Sequence, residues 1–286
     1  MKDYNYFMVI IFDGRVFAES KKKLLRSKVD NLLKHGVTPA LVSIYSDRDP
    51  GSVLYTRIKV KAAEEIGAKF FAVAVAEKEI AKIIKIVKSF NTDPKIYGLM
   101  VRHPSNKEDV ISYSWVKIIG AINPKKDVDG LTEKSPYTSA TVKAVLTILD
   151  YAEKVLKIDL KGKKFVVIGD RGMVGRPLIT ELVGMRYEVR GCNSETKNMG
   201  QVTQNADILI SAAGKPGLIK KDMVKEDVVI IDVGSPRGDV DPEVARRVKF
   251  ITPVPGGVGP VTVVCLLENL VEACYTTRDT HLSGSS

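Results

Sequence analysis

FVVIGDRGMVG, residues 165–175, comprises a short apolar strand, a turn with three glycines and the predicted start of a helix. The β-branched run before Gly169 predicts a strand buried on both faces of a parallel sheet. Because Gly169, Gly172 and Gly175 lack a Cβ, the chain can turn sharply and a ligand can approach the backbone closely. A strand, a glycine turn and a helix N-terminus in this order are typical of sites that bind the pyrophosphate of a dinucleotide.

The spacing of these glycines differs from the usual G-x-G-x-x-G pattern, and glycines at such a turn can also serve the packing of a helix on a strand. Two later apolar strands favour binding over packing alone, because they end in SAAGKPG (Ser211–Gly217) and DVGSP (Asp232–Pro236). The carboxyl ends of parallel strands meet at one edge of a sheet, where ligands bind. We therefore predict a dinucleotide site at this edge.

Strands and helices alternate along nearly the whole chain, which predicts an α/β protein with parallel sheets in both halves. An amphipathic stretch at about 141–157 is a plausible bridge between two domains. The strand-like segments outside residues 165–169 are ALVSIYS (40–46), FFAVAV (70–75), YGLMV (97–101), YEVRGC (187–192), DILISAAG (207–214) and VVIIDVG (228–234).

The composition limits the possible functions. The formal net charge of +10 favours acidic partners such as nucleotides, phosphorylated or polycarboxylate substrates, or nucleic acid. The basic residues are scattered without a nucleic-acid motif, so we expect no nucleic-acid partner. Three cysteines suggest reduced thiols and a cytoplasmic protein. We expect no membrane span and, because the three histidines lack ligand spacing, no metal.

PVPGGVGPVT, residues 253–262, has three prolines and three glycines between an apolar strand and an apolar helix. Prolines restrict the backbone and glycines expose it, so a flat ligand could lie against the peptide plane. A plain turn would need only one or two such residues. We interpret this segment as a binding loop.

Tyr55 and Lys59 are four residues apart on a predicted helix and therefore lie on one face. In a desolvated cleft the pKa of Lys59 would fall, and the amine could then act as a general acid or base. The spacing alone favours an exposed lysine. Tyr-x-x-x-Lys also occurs in short-chain dehydrogenases, but there it follows the nucleotide fold, whereas here it precedes Gly169.

In NPKKDVDGLT, residues 123–132, Asp127 and Asp129 flank one valine, so in an extended stretch their side chains point the same way. A carboxylate there could accept two N–H bonds from an aminopyrimidine edge. A calcium loop of the EF-hand type is excluded because its remaining ligands are missing.

The chain resembles the methylenetetrahydrofolate dehydrogenase/methenyltetrahydrofolate cyclohydrolase family in four motifs: SVLYTRIKVKAAEEIGA, KDVDG, GxxGMVGRP after a strand, and PVPGGVGPVT. The resemblance implies two domains: a three-layer α/β catalytic domain at 1–143, and a Rossmann-type NAD(P)-binding domain with a parallel sheet at 144–261. It further implies that a C-terminal helix, 262–278, packs back on the first domain, with a flexible tail at 279–286.

The resemblance also implies the activity. A bifunctional enzyme of one-carbon metabolism and purine biosynthesis would oxidise 5,10-methylenetetrahydrofolate with NAD(P) and hydrolyse the methenyl product to 10-formyltetrahydrofolate. Such an enzyme is usually a homodimer. Lys59 would transfer protons in the hydrolysis, Tyr55 would stack against the folate, and Asp129 would bind the pterin. The implied catalytic residues are Tyr55, Lys59, Arg102 and Asp129, and the further substrate contacts are Val101, His103, Pro255, Gly256, Gly259 and Pro260.

NADP is the cofactor expected from family precedent, with NAD as the alternative. Asp170 and Glu195 replace residues that are basic in the family, whereas Arg171 could meet a 2′-phosphate. The implied cofactor contacts are Gly169, Asp170, Arg171, Gly172, Val174, Gly175, Ser194, Gly214, Pro216, Ser235 and Gly257.

Arg102 is a second departure, because the family has glutamine in its Val-Gln-Leu-Pro motif and this chain has Val101-Arg102-His103-Pro104. An arginine would lower the pKa of Lys59 but cannot accept a hydrogen bond. Two alternatives therefore stay open: a monofunctional dehydrogenase without cyclohydrolase activity, and a non-enzymatic dinucleotide or nucleic-acid binding protein.

Overall fold

The computed structural model describes residues 9–46, 48–76, 79–102 and 113–283. The chain divides into two compact units. The six-stranded unit contains residues 9–17 and 141–262, and the three-stranded unit contains residues 18–140 and 263–283 within the described ranges. Each unit has its own parallel sheet, which confirms the predicted α/β class.

The strands and helices alternate as the sequence indicates. The strands are β1 (Ile10–Ile11), β2 (Ala40–Tyr45), β3 (Lys69–Ala74), β4 (Gly98–Val101), β5 (Lys164–Ile168), β6 (Glu188–Cys192), β7 (Ile208–Ser211), β8 (Val229–Asp232) and β9 (Phe250–Ile251). The helices are α1 (Gly14–Lys34), α2 (Pro50–Ile66), α3 (Ile80–Thr92), α4 (Tyr113–Gly120), α5 (Ala140–Leu156), α6 (Gly175–Gly184), α7 (Met199–Gln204) and α8 (Val258–Ser283).

The larger sheet has the order β1-β9-β8-β7-β5-β6, and every pair is parallel. The strand order reverses at β5, which lies between β6 and β7. In open parallel sheets, ligands bind at the carboxyl edge beside such a reversal. The core under this sheet is aliphatic and includes Val166, Ile168, Leu209, Ile230 and Ile251.

The smaller sheet has the order β3-β2-β4, and both pairs are parallel. Its core contains Val42, Ile44, Leu99 and Val101 from the strands, together with Ile83 and Val87 from α3 and Trp115 and Ile118 from α4. The central strand β2 is buried along nearly its whole length, which fits a strand covered on both faces.

The predicted boundary of the first domain needs a correction at its start. The sequence places residues 1–143 together, but Val9 to Phe17 group with the six-stranded unit because β1 pairs with β9. Phe12 lies 5.8 Å from the Phe250 ring and 5.2 Å from the Tyr151 ring, measured between centroids. This aromatic packing attaches the segment to the larger sheet.

The C-terminal helix α8 is longer than the sequence suggested. It continues through Ser283, so the predicted tail at 279–286 falls partly on this helix and partly outside the described residues. In the part of the chain that the structure describes, Val258–Arg278 is one helix long and apolar enough to cross a membrane, which corrects the expectation that no segment reaches this length. Sixty-seven per cent of its apolar window is buried in the protein, as in a core helix.

All three cysteines, Cys192, Cys265 and Cys274, are free and buried. Burial raises the pKa of the Cys192 and Cys274 thiols. Thiols in such surroundings pack as small apolar side chains and are chemically inert.

Candidate functional site

Helix α2 positions Tyr55 and Lys59. Asp49 caps its start by accepting a hydrogen bond from the Gly51 N–H, and Gly67 ends it in the left-handed conformation. The buried face of α2 carries Ser52, Thr56, Lys59, Ala63 and Ile66, a spacing that keeps these residues on one side of a helix. Lys59 is only 8% exposed, whereas the sequence spacing alone favoured an exposed lysine.

The Lys59 amine is buried, and its Nζ lies 3.6 Å from the Met100 Sδ. Burial lowers the pKa of Lys59, the Arg102 charge lowers it further, and the Asp129 charge opposes this effect. Within the described ranges Lys59 forms no ion pair at salt-bridge distance. An ammonium is therefore disfavoured, and the neutral amine becomes available as a base.

Arg102 directly follows β4 and lies over the ring of Tyr55, with its guanidinium carbon 5.1 Å from the ring centroid. Burial lowers the pKa of Arg102, and the negative charges of Asp49 and Asp129 oppose this effect. The contact is a cation–π interaction. The cation expected near Lys59 is therefore present, and it also covers one face of Tyr55.

Asp127 and Asp129 do not share an extended stretch, which corrects the sequence interpretation. A 3₁₀ turn at Pro124–Lys126 and a left-handed Gly130 (φ 64°) fold this segment back on itself. The Asp127 carboxylate is fully buried and accepts hydrogen bonds from the Leu131 and Thr132 N–H groups and the Thr132 hydroxyl. Asp127 therefore organises the turn.

Asp129 is half-buried and faces the lysine. Burial raises the pKa of Asp129, and the positive charges of Lys59 and Arg102 oppose this effect. The structure thus brings Tyr55, Lys59, Arg102 and Asp129 together with Met100, and we call these five residues the lysine site. Val101 is buried at the end of β4, and His103 lies outside the described residues.

The glycine turn at 169–175 is formed by close approach of backbone to backbone. Gly169 has φ 90°, and a Cβ at this position would lie 2.5 Å from the Ala212 carbonyl oxygen. A Cβ at Gly175 would lie 2.1 Å from the Gly169 oxygen, and one at Gly172 would lie 3.1 Å from it. The packing role considered from the sequence is therefore real for Gly169 and Gly175.

The same turn also fits a phosphate. Helix α6 begins at Gly175, and the preceding residue, Val174, makes no side-chain cap. The start of a helix carries a partial positive charge. The Arg176 N–H already donates to the Gly172 carbonyl oxygen at 3.1 Å and Pro177 has no N–H, so α6 offers an anion its dipole and the Gly175 N–H. A bare backbone and the positive end of a helix dipole are the two features of this turn that favour the pyrophosphate of a dinucleotide.

Charged residues line the neighbouring ends of β5 and β6. Arg171 and Glu195 form a two-pronged ion pair, with both nitrogen–oxygen distances 2.8 Å. The Asp170 carboxylate accepts a hydrogen bond of 3.0 Å from the Asn193 side chain. The hydrogen bond to Glu195 raises the pKa of Arg171, and the same bond lowers the pKa of Glu195.

The remaining predicted cofactor contacts lie at the same edge of the six-stranded sheet. Ser194 is exposed after β6, Gly214 (φ 61°) and Pro216 are exposed after β7, and Ser235 is exposed after β8. The carboxyl ends of four parallel strands therefore carry the whole predicted set except Gly257.

The proline–glycine segment is a loop only in its first half, because α8 begins at Val258 and includes Gly259 and Pro260 in its first turn. Gly256 has φ 107°, and Pro255 is exposed. Gly14, at the start of α1, packs against this loop so closely that a Cβ there would lie 1.9 Å from the Gly257 oxygen.

The sequence interpretation missed two of these residues. Met100 reads as an ordinary core residue in a buried strand, and only its distance to Lys59 shows its place in the site. Gly14 is a lone glycine after a short strand, a pattern too common to be informative. In the described ranges, no group of three or more histidine, cysteine or acidic side chains could hold a metal ion.

Two family profiles match the chain. The profile of the catalytic domain of tetrahydrofolate dehydrogenase/cyclohydrolase matches residues 12–129. The profile of the NAD(P)-binding domain of the same enzymes matches residues 139–278. The bifunctional protein FolD of Nautilia profundicola is 37% identical over 284 residues, which span 92% of this chain and 96% of the relative.

Two solved structures are similar over nearly the whole chain. The bifunctional methylenetetrahydrofolate dehydrogenase/cyclohydrolase of Campylobacter jejuni has a TM-score of 0.84 at 32% identity, with 94% of this chain and 100% of that chain covered. The corresponding Trypanosoma brucei enzyme, in complex with NADP cofactor and an inhibitor, has a TM-score of 0.84 at 30% identity, with coverage of 94% and 98%.

Proposed function

Since the chain belongs to the tetrahydrofolate dehydrogenase/cyclohydrolase family, we propose that one polypeptide catalyses both reactions of that family. It oxidises 5,10-methylenetetrahydrofolate to the methenyl form with NADP, and it hydrolyses the methenyl form to 10-formyltetrahydrofolate. The observation that carries this proposal is the buried Lys59. Burial lowers its pKa even though the negative charge of Asp129 opposes this effect. Hydride transfer itself moves no proton to or from the protein, whereas hydrolysis does, so a buried amine with a lowered pKa favours the presence of both activities.

Hydrolysis needs one group that both accepts and donates a proton. Water adds to the methenyl carbon while the neutral Lys59 amine takes one proton from it. The resulting ammonium then donates this proton to N5 of the folate as the bond between N5 and the one-carbon unit breaks. The hydroxyl of the adduct loses its proton to solvent and becomes the carbonyl of the N10-formyl product.

The oxidation depends on positioning. When bound, NADP accepts a hydride from the methylene carbon. Asp129 binds the aminopyrimidine edge of the pterin through its carboxylate, and Tyr55 orients the folate by stacking. Val101 and His103 complete the folate contacts. We further propose that Pro255, Gly256, Gly259 and Pro260 form the wall between pterin and nicotinamide, and that Gly257 contacts the cofactor.

The glycine turn holds the dinucleotide at the start of α6, with Gly169, Gly172, Val174 and Gly175 around the pyrophosphate. Asp170, Arg171, Ser194, Gly214, Pro216 and Ser235 surround the rest of the cofactor. Arg171 is the cation that meets the 2′-phosphate of NADP. Its pairing with Glu195 in this structure means that the phosphate and Glu195 compete for the same guanidinium.

This competition leads to a prediction about cofactor choice. Glu195→Gln is expected to tighten NADPH binding by about three- to tenfold, because it removes a negative charge near the phosphate and releases Arg171. NADH, which lacks the phosphate, should bind as before. Fluorescence titration of both reduced cofactors measures the change, with Glu188→Gln at the exposed start of β6 as the control. Equal tightening of NADPH and NADH would contradict the role given to Arg171.

Arg102 stands where the family has a glutamine, and its charge affects the pH dependence of hydrolysis. Because Arg102 lowers the pKa of Lys59, Arg102→Gln should raise that pKa. The base form of Lys59 then appears only at higher pH, so the acid limb of the cyclohydrolase pH–rate profile moves upward. At pH values on this acid limb, the hydrolysis rate of the variant should be lower than the wild-type rate by a factor of about three to ten.

The pH–rate profile of the purified variant tests this prediction, with the exposed Arg246→Gln as the control. An acid limb that moves to lower pH, or stays in place, would show that Arg102 does not act on Lys59 through its charge.

We propose a homodimer that forms through β3, which is an outer strand of the three-stranded sheet among the residues that the structure describes. Three apolar side chains are exposed on α2 and β3: Leu54 at 58%, Ile58 at 44% and Phe71 at 45%. A groove of about 360 Å³ lies between the same two elements and includes Val53, Val60 and Ala72 in its lining. Exposed apolar edges of this kind are typical of interfaces.

Light scattering tests the dimer. Phe71→Glu is expected to convert a two-chain particle into a single chain without loss of helix content, whereas Val116→Glu, at an exposed apolar position on α4, should not. A wild-type protein with the mass of one chain would contradict the proposal.

We also propose that the protein acts in the cytoplasm, without a membrane or nucleic-acid partner, and that its 10-formyl product serves purine biosynthesis. The proposed function itself is tested by supplying the two substrates separately. Purified protein should reduce NADP with the methylene form and should hydrolyse the methenyl form without cofactor. Oxidation without hydrolysis would leave a monofunctional dehydrogenase, and the absence of both would leave a binding protein.

A further inference from the structure

Two buried carboxylates join the ends of β7 and β8 in the six-stranded unit. Asp239 is fully buried, and its Oδ2 accepts hydrogen bonds from the Ser211 hydroxyl at 2.7 Å, the Ala213 N–H at 2.9 Å and the Gly214 N–H at 3.2 Å. One side chain from the loop after β8 therefore holds the last residue of β7 and two N–H groups of the loop that follows it.

Asp232, the last residue of β8, fixes Asp239 in turn. Its carboxylate accepts hydrogen bonds from the N–H groups of Gly234 at 2.8 Å, Asp239 at 3.1 Å and Val240 at 2.9 Å. Gly238 lies so close that a Cβ there would be 2.6 Å from the Asp232 Oδ2. The loop is thus folded around Asp232, and this folding determines where Asp239 points.

The loop that Asp239 fixes lies against the glycine turn. The Ala212 carbonyl oxygen would be 2.5 Å from a Cβ at Gly169, so residues 212–214 directly border the start of the turn. This border lies between β5 and β7, where the strand order reverses and where a parallel sheet binds its ligand. Any shift of residues 212–214 therefore reaches the dinucleotide site.

Stability alone does not explain the carboxylate. Burial of a charged group is costly unless each oxygen finds partners. The Asp239 Oδ1 is buried without a hydrogen-bond partner among the residues that the structure describes. A serine or threonine could bridge two N–H groups at lower cost. All the hydrogen bonds that this carboxylate accepts from the described residues therefore come from Ser211 and from the two N–H groups that follow β7.

We propose that Asp239 is a positioning residue for the dinucleotide, which holds Ala213 and Gly214 beside the glycine turn and is itself held by Asp232. This inference rests on the proposed function, because it assumes that the turn binds NADP. Asp239 contacts neither reacting group. Its loss should weaken cofactor binding and oxidation, and it should leave hydrolysis unchanged, since hydrolysis uses Lys59 and no cofactor.

The two activities of one chain allow a test that separates positioning from general damage. Asp239→Ala is expected to raise the dissociation constant for NADPH at least about tenfold, measured by fluorescence titration of the full-length protein without substrate. Hydrolysis of supplied methenyltetrahydrofolate should change less than about twofold. Asp239→Asn should restore most of the NADPH affinity, because the amide oxygen can accept the same three hydrogen bonds.

Asp222→Ala is the matched control, since this aspartate is exposed in the same unit, and it should change neither quantity. If Asp239→Ala does not fold, Ser211→Ala removes one of the three donors and should weaken NADPH binding by about two- to threefold. Unchanged NADPH affinity in these variants, or a parallel loss of hydrolysis, would overturn the inference. A wild-type protein without either activity would instead refute the proposed function.

Discussion

Lys59→Met is expected to lower the rate of methenyltetrahydrofolate hydrolysis by a factor of about 10² to 10⁴, the range that general acid–base catalysis contributes. Methionine has a similar length and fits the apolar surroundings of Met100, so the fold should be retained. NADPH binding should be unchanged, because the dinucleotide site lies in the other unit. Hydrolysis of the supplied methenyl form, followed by absorbance, measures the effect.

Lys85→Met on α3 is the control, since this lysine is exposed on a helix, and it should have wild-type rates. A Lys59→Met enzyme that retains more than about one tenth of the wild-type rate would show that another group transfers the proton.

The same variant should be at least as stable as the wild type at neutral pH. The folded-state pKa of Lys59 lies below the ordinary 10.5, because burial disfavours the ammonium. The native protein therefore binds fewer protons than the unfolded chain, and its free energy of unfolding rises with pH in the window between the two pKa values. Lys59→Met removes this penalty, so its advantage over the wild type should shrink as the pH approaches 10.5. Urea unfolding at several pH values tests the sign.

Gly175→Ala is expected to have the second large effect. The added Cβ would lie 2.1 Å from the Gly169 carbonyl oxygen, a distance that backbone atoms cannot relieve without opening the turn. We expect a loss of at least about 3 kcal/mol in the free energy of unfolding and a loss of about 100-fold in NADPH affinity. Urea unfolding and fluorescence titration measure the two quantities.

Gly184→Ala is a matched control at the other end of the same helix, α6. No atom lies within 4 Å of a Cβ at that position, so the variant should be neutral or more stable by up to about 1 kcal/mol. If the two variants had the same free energy of unfolding and the same NADPH affinity, the backbone contacts described for the glycine turn would be wrong.

The architecture could be predicted from the sequence because each strand and helix of this fold has a recognisable local pattern. Apolar runs separated by helical stretches predicted both parallel sheets, and the glycines after β5 marked the edge where the strand order reverses. The attachment of residues 9–17 to the larger sheet was not predicted, since a strand of two residues carries no pattern that identifies its partner.

The lysine site could be predicted in its members but only partly in its geometry. Tyr55 and Lys59 share a helix face by spacing, yet the burial of Lys59 depends on packing against strands that are distant in the sequence. The alternation of Asp127 and Asp129 suggested an extended stretch, but the turn at Gly130 gives the two carboxylates different roles. No sequence pattern indicated the role of Asp239, because the groups that donate hydrogen bonds to its carboxylate lie at the end of β7 and after it.

The measurement that tests the account most directly is a single time course on purified protein with 5,10-methylenetetrahydrofolate and NADP, in which NADPH and 10-formyltetrahydrofolate are quantified in the same sample. The account predicts that both products form, and that Lys59→Met stops the second while the methenyl intermediate accumulates. NADPH formed by the wild type without any 10-formyltetrahydrofolate, or neither product, would contradict it.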